Sequence, residues 1–143
     1  VTALFGAKSC TIDAKGRVFI PAKFREEMGE ELVVFKALDG AKCLFVVSGE
    51  EWETLTAKIS ALPFSQAKRF ERYIYPAAAD LSCDTQGRAL IPADLRQHAS
   101  LSGTITINGT GKRLEIWSTE NWDTEQEKYS DDGMSDFIDE IGF

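Results

Sequence analysis

The stretch IDAKGRVFIPAKFR at 12–25 returns as CDTQGRALIPADLR at 83–96. At this offset of 71, seven of the fourteen positions are identical: Asp13/Asp84, Gly16/Gly87, Arg17/Arg88, Ile20/Ile91, Pro21/Pro92, Ala22/Ala93 and Arg25/Arg96. Ordinary composition would give about one. The likeness resumes at an offset of 70, where LFVVSGEEWET (44–54) matches LEIWSTENWDT (114–124) at Leu, Ser, Glu, Trp and Thr. Between the blocks, Asp39-Gly40 and Asn108-Gly109 both read as hairpin turns. The chain is a tandem duplication, and every other reading follows from that.

A chain of 143 residues is one ordinary domain, so each copy has about half a domain's length. Units of that size bury too little surface to be stable alone, and the two copies are expected to share one core as an internal pseudo-dimer. Apolar residues make up 43% and charged residues 27%, a soluble globular balance. No apolar run approaches the roughly 20 residues of a membrane span. VTALFGAKSC at 1–10 is too short an apolar stretch for a secretory signal. Cys10, Cys43 and Cys83 are odd in number and widely spaced, so neither a disulfide framework nor a zinc site is expected. They read as strand residues in a reducing cytoplasm. His98 is the single histidine and has no evident partner.

The net charge of −7 is all in the last segment. Residues 121–143 carry eight acids and one lysine, whereas residues 1–120 balance at fifteen of each sign. Within residues 1–25, five bases face one acid. Distribution decides whether a nucleic acid can be met, and here it favours the N-terminal end.

The periodicity predicts strands at 9–13 and 17–20 with Asp13 to Gly16 as the hairpin turn, then a short helix over 22–28 begun by Pro21 and stopped at Gly29. Strands at 32–37 and 43–47 follow. Ser48-x-x-Glu51 is a capping box, opening a helix with Trp52, Leu55, Ile59 and Leu62 at helical spacing. After Pro63, Ser65 is expected to cap a second helix with Ala67, Phe70 and Ile74 on one face, unmatched in the other copy. The second copy then repeats the pattern, with strands at 79–83, 88–91, 104–108 and 113–117. Ser118 caps a weaker helix carrying Trp122 and Tyr129. Met134, Phe137, Ile138 and Ile141 give the acidic tail an apolar helical stripe. The divisions expected are 1–62 for the first repeat, 63–76 for a connecting helix, 77–130 for the second repeat and 131–143 for the tail.

Asp-x-x-x-Arg around a tight turn sets the two side chains side by side. The plainest reading is that Asp caps the turn and pairs with Arg. The functional reading adds that a rigid turn presents Arg, and a neighbouring Lys, to a phosphate or base edge, for which the planar guanidinium is suited. The doubled D-x-x-G-R, each followed by IPA and a further Arg and leading to a Ser-capped helix with Trp, resembles the MraZ family over about residues 4–122. That family comprises bacterial transcriptional regulators of the division and cell-wall gene cluster. One copy alone would indicate only the wider AbrB-like swapped-hairpin superfamily.

The resemblance implies an α+β fold in which two AbrB-like β-α-β repeats intertwine into one pseudo-dimeric, β-barrel-like core with flanking helices. It further implies a ring-shaped homo-oligomer, double-stranded DNA as partner through direct repeats in a promoter, and a cytoplasmic, nucleoid-associated protein. No cofactor, metal or membrane is called for, nor any catalysis. The DNA-binding residues expected are Arg17, Lys15, Asp13, Lys8, Lys23, Arg88 and Asp84. Lys8, Lys15 and Lys23 become Ala79, Gln86 and Asp94 in the second copy, so the first turn is expected to dominate. A second class of function, an antitoxin-like protein that neutralises a partner through its tail, is the alternative.

Overall fold

The first strand of each repeat, expected to form a hairpin with the strand that follows it, pairs instead with a strand of the other repeat. The computed structural model describes residues 3–129 and 131–143. In the first repeat lie β1 (Ala7–Thr11), β2 (Arg17–Phe19), α1 (Ala22–Met28), β3 (Leu32–Lys36), β4 (Leu44–Ser48) and α2 (Gly49–Ser60). The unmatched α3 (Phe64–Ile74) connects to β5 (Ala79–Leu81), β6 (Arg88–Leu90), α4 (Ala93–His98), β7 (Thr104–Gly109), β8 (Leu114–Ser118) and α5 (Thr119–Gln126), and α6 (Asp131–Ile141) ends the chain. The architecture is α+β, with antiparallel pairing throughout the described strands. Among the described residues, no helix is long and apolar enough to cross a membrane.

The six-stranded sheet runs β1-β7-β8-β4-β3-β5, and β2 pairs with β6 in a separate ribbon. That order is its own mirror under exchange of the repeats. The β4–β8 register is symmetric about Phe45↔Glu115 and the β2–β6 register about Val18↔Ala89, so a pseudo-two-fold axis passes through both pairs. Each repeat lends its first strand to the other: β1 lies on β7, and β5 lies on β3.

The expected β1–β2 hairpin is therefore corrected. The turn closes, with Asp13 N–H bonding the Arg17 carbonyl at 3.0 Å, but the strands then part. Pairing β2 with β6 buries Val18 and Ala89 against each other's repeat, both 1% exposed. The Asn108-Gly109 turn is also corrected. Both residues are in β7, and the turn lies at 110–113, where Gly111 takes the positive φ of 97°. Gly109 serves a different need. A Cβ there would stand 2.5 Å from the Phe5 backbone nitrogen, because the N-terminal segment lies directly against it, with Gly109 N–H bonding the Gly6 carbonyl.

Local signals hold elsewhere. Pro21 precedes α1, whose end at Gly29 is as expected. Ser48 and Ser118 accept hydrogen bonds from the N–H groups of Glu51 and Asn121. Ser65 is no cap: Pro63 occupies that position, its fixed φ already suited to helix entry, and no side chain bonds there. Tyr129 lies beyond α5, where its hydroxyl donates to Glu125.

The sheet has a core on each face. Under the ribbon and the short helices lie Ile20, Phe24, Ile91, Leu95, Ile105 and Ile116 among others. Ile20 and Ile91 are fully buried, each worth about 1.5–3 kcal/mol. On the other face Ile59 of α2 and Ile74 of α3 share a second core with Phe35 and Phe45. Trp52 packs between Phe35 and Tyr75 at 5.2 and 5.8 Å. On α3, Ile74 belongs to this core, whereas Phe64, Phe70 and Tyr73 are exposed.

Gly109→Ala should destabilise the chain by about 1–3 kcal/mol, since the colliding atoms are backbone and cannot rotate away. A lowered urea midpoint with an unchanged slope would show it. Cys43 is fully buried, and burial, reinforced by the Glu115 and Asp39 charges, pushes its thiol well above the ordinary range. Only the thiolate reacts with alkylating reagents. Mass spectrometry should find Cys43 labelled after Cys10 and Cys83, and only once the chain unfolds.

Candidate nucleic-acid interface

Each turn of the repeated motif is built by one aspartate. The Asp13 Oδ1 accepts from the N–H of Lys15 at 3.0 Å and of Arg17 at 2.8 Å, while Oδ2 accepts from Arg17 Nε at 2.7 Å. Asp84 does the same with Gln86 N–H, Arg88 N–H and Arg88 Nε at 2.9, 2.9 and 3.2 Å. The Arg17 backbone N–H, reinforced by its guanidinium, holds the Asp13 carboxyl below its usual range. For Asp84 the Arg88 N–H acts first and the Gln86 N–H next. Both carboxylates are ionised at neutral pH. Among the described residues each guanidinium is gripped through Nε alone, and its Nη groups make no bond. Half-exposed, Arg17 and Arg88 are held in direction and open at the tip.

The glycine of each turn is braced by the other repeat. Gly16 and Gly87 have φ of 91° and 81°, a conformation that favours glycine. A Cβ on Gly16 would lie 2.6 Å from the Arg96 guanidinium, and one on Gly87 3.0 Å from Arg25 Nη2. The backbone crosses in the same sense, with Ile91 N–H on the Gly16 carbonyl and Ile20 N–H on the Gly87 carbonyl, both at 2.9 Å. Arg25 Nε also donates to the Ile20 carbonyl at 2.9 Å. The arginines shared by the repeats thus divide in role: Arg25 and Arg96 build the scaffold, and Arg17 and Arg88 face outward.

The ribbon sets both turns on one layer. Its register Arg17↔Leu90 and Phe19↔Arg88 sets Arg17 and Arg88 two residues apart, about 7 Å along the strands at about 3.3 Å per residue. Val18 and Ala89 point inward. Phe19 and Leu90 point outward between the arginines, 39% and 57% exposed. Sequence reasoning singled out neither, although the strict alternation in both copies was a usable signal. The bracing by Arg25 and Arg96 was likewise missed; its trace is the shared Gly and Arg in each copy.

The turns differ in their lysines. Lys15 is exposed on the first, opposite Gln86 on the second. Lys8 is exposed on β1, and Lys23 is exposed on α1 with its Nζ 3.6 Å above the Phe5 ring. The structure brings Asp13, Lys15 and Arg17 into one turn and Asp84 and Arg88 into its twin. Lys8 and Lys23 stand on neighbouring elements rather than in the turn. No cluster of three or more His, Cys, Asp or Glu residues able to hold a metal occurs among the described residues.

A family model described as "MraZ protein, putative antitoxin-like" matches residues 3–72 and 74–138. The chain is 49% identical over 119 residues to a protein of Heliobacterium modesticaldum named "Transcriptional regulator MraZ", covering 82% of each chain. A protein of the same name from Carboxydothermus hydrogenoformans is 50% identical over 119 residues, again 82% of each. One from Alkaliphilus oremlandii is 46% identical over 133 residues, 91% of this chain and 89% of its own. With both Asp-x-x-Gly-Arg turns inside the matched segments, the chain belongs to the MraZ family.

Proposed function

We propose that this chain is a sequence-specific, non-catalytic DNA-binding transcriptional regulator. In this reading the exchanged repeats are an AbrB-like, barrel-like core. The protein works as a ring-shaped homo-oligomer on promoter direct repeats of the division and cell-wall cluster, in the cytoplasm on the nucleoid. The relatives' names support the regulatory part. The single observation that carries the DNA-binding part is the ribbon with two outward arginines, each restrained by its own aspartate. A two-stranded ribbon fits a major groove about 12 Å wide, and an arginine fork matches the guanine edge. Restraint by Asp13 and Asp84 lowers the entropy lost when the arginines dock.

The first turn leads in this reading, because Lys8, Lys15 and Lys23 have no basic counterpart in the second repeat. Phosphate attraction supplies most non-specific affinity, and three lysines place it at the Arg17 end. The acidic α6 is expected away from DNA. The antitoxin-like alternative draws on α6, whose apolar row is open. Co-purification with a toxin encoded beside the gene would favour it.

The test is a titration of variants on one fragment from upstream of the protein's own gene, with fold and mass checked. Arg17→Ala should weaken binding by about 1–3 kcal/mol and blur site preference. Arg88→Ala should cost less binding. Equal losses, or a larger one for Arg88→Ala, would overturn the asymmetry. Lys15→Ala should weaken all sequences alike and reduce the log–log salt slope by about 0.9. An unchanged slope would remove Lys15 from the interface.

A further inference from the structure

We propose that α6 of one copy docks into the groove between α3 and the β3–β4 loop of a second copy. This rests on the oligomeric part of the proposed function and names the surfaces that make it. The groove has a volume of about 540 Å³ and is lined by Leu38, Gly40, Gln66, Arg69, Phe70 and Tyr73. Its apolar wall is open: Phe70 and Tyr73 are 40% and 42% exposed. Lys36 lies 5.3 Å from the Tyr73 ring, and Lys68 lies over Phe64 on the adjoining surface.

The charges are complementary. Residues 36–43 and 64–74 carry five bases, Lys36, Lys42, Lys68, Arg69 and Arg72, against Asp39 and Glu71. The α6 sequence carries five acids and no base. The shapes agree as well, since α3 and α6 are each eleven residues long. On α6, Met134, Phe137, Ile138 and Ile141 recur at i, i+3, i+4 and i+7. All are at least 43% exposed. A helix laid by such a row into an apolar groove is a recurrent recognition mode. Asp136, Asp139 and Glu140 then lie on the flanks and back, within reach of the long basic side chains at the rim.

A second copy is the occupant rather than the same chain. Past α5 the backbone keeps its turn-like bonding to Tyr129, whose N–H bonds the Gln126 carbonyl, and the hydroxyl is tied to Glu125. Within one chain α6 does not lie on the groove, since Met134, Phe137, Ile138 and Ile141 stay exposed, as do Phe70 and Tyr73. The chain leaves both its apolar row and its groove uncovered, and each fits the other on a neighbour.

Light scattering at micromolar concentration tests this with the full-length chain, Phe137→Asp on α6 and Phe70→Asp in the groove, alone and mixed. The wild type should assemble, and each variant should self-associate at least about tenfold more weakly. Their 1:1 mixture should stop at a heterodimer, because only one intact helix and one intact groove remain between them. An assembled wild type with either folded variant unchanged, or two assembly-defective variants that fail to pair when mixed, would overturn the docking and leave the oligomer standing. A monomeric wild type would overturn both. Arg69→Glu, a change at an exposed side chain, replaces Phe70→Asp if that variant does not fold. It should weaken assembly, and Glu140→Lys on the partner should restore part of it.

Discussion

The structure depends on the contact of each turn's glycine with an arginine from the opposite repeat. Arg96 lies against Gly16 and Arg25 against Gly87, and β2 pairs with β6 between them. A side chain on Gly16 would displace the Arg96 guanidinium, one on Gly87 would press on the Phe19 ring and Arg25, and both would meet an unfavourable φ. Once these crossings form, Ile20 and Ile91 fall into one shared core, and β1 and β5 are carried across to the other repeat's strands. Two half-domains too small to stand alone become one body with a common interior.

The same constraint explains why the outward arginines can serve recognition. Asp13 and Asp84 spend three acceptor contacts each on closing a turn and aligning a guanidinium. The frame beneath is symmetric in its register but not in its decoration. Lysines gather on the first repeat, whereas the second places Glu115 on the pseudo-axis opposite Phe45. That buried carboxylate accepts from Trp117 Nε1 at 3.0 Å and pairs with Arg113, whose guanidinium lies over the Phe45 ring. Duplication has left the crossing intact in both copies while the surface has diverged between them.

Much of this was legible in the sequence because much of it is local. Pro21, Gly29, Ser48 and Ser118 announce helix ends through backbone chemistry confined to a few residues. Asp13 and Arg17 meet because a turn brings residues four apart together. Partner choice was not legible. Alternation says which side of a strand is inward, not which strand lies alongside, so β1 and β2 read as a hairpin. Asn108-Gly109 read as a turn because glycine's freedom and glycine's smallness look alike in a sequence. The need at Gly109 is the nearness of Phe5, a hundred residues away. Arg25 and Arg96 were visible as shared residues, but their partners lie in the opposite repeat. The chemical type of the site could be read; what braces it could not.

The exchange of first strands also constrains the order in which the chain can fold. Every β1–β7 pair joins residues 93 to 101 apart in sequence, so the protein's topology is strongly non-local. Contacts of that span close late and slow folding. On the ribosome, β1 emerges well before β7 and must wait for it while the intervening residues are made. During synthesis at about 5–20 residues per second, that strand edge spends several seconds without its partner. The N-terminal half is thus exposed to pairing with a neighbouring nascent chain, and the architecture that makes one chain act as its own dimer makes early domain swapping its characteristic misassembly.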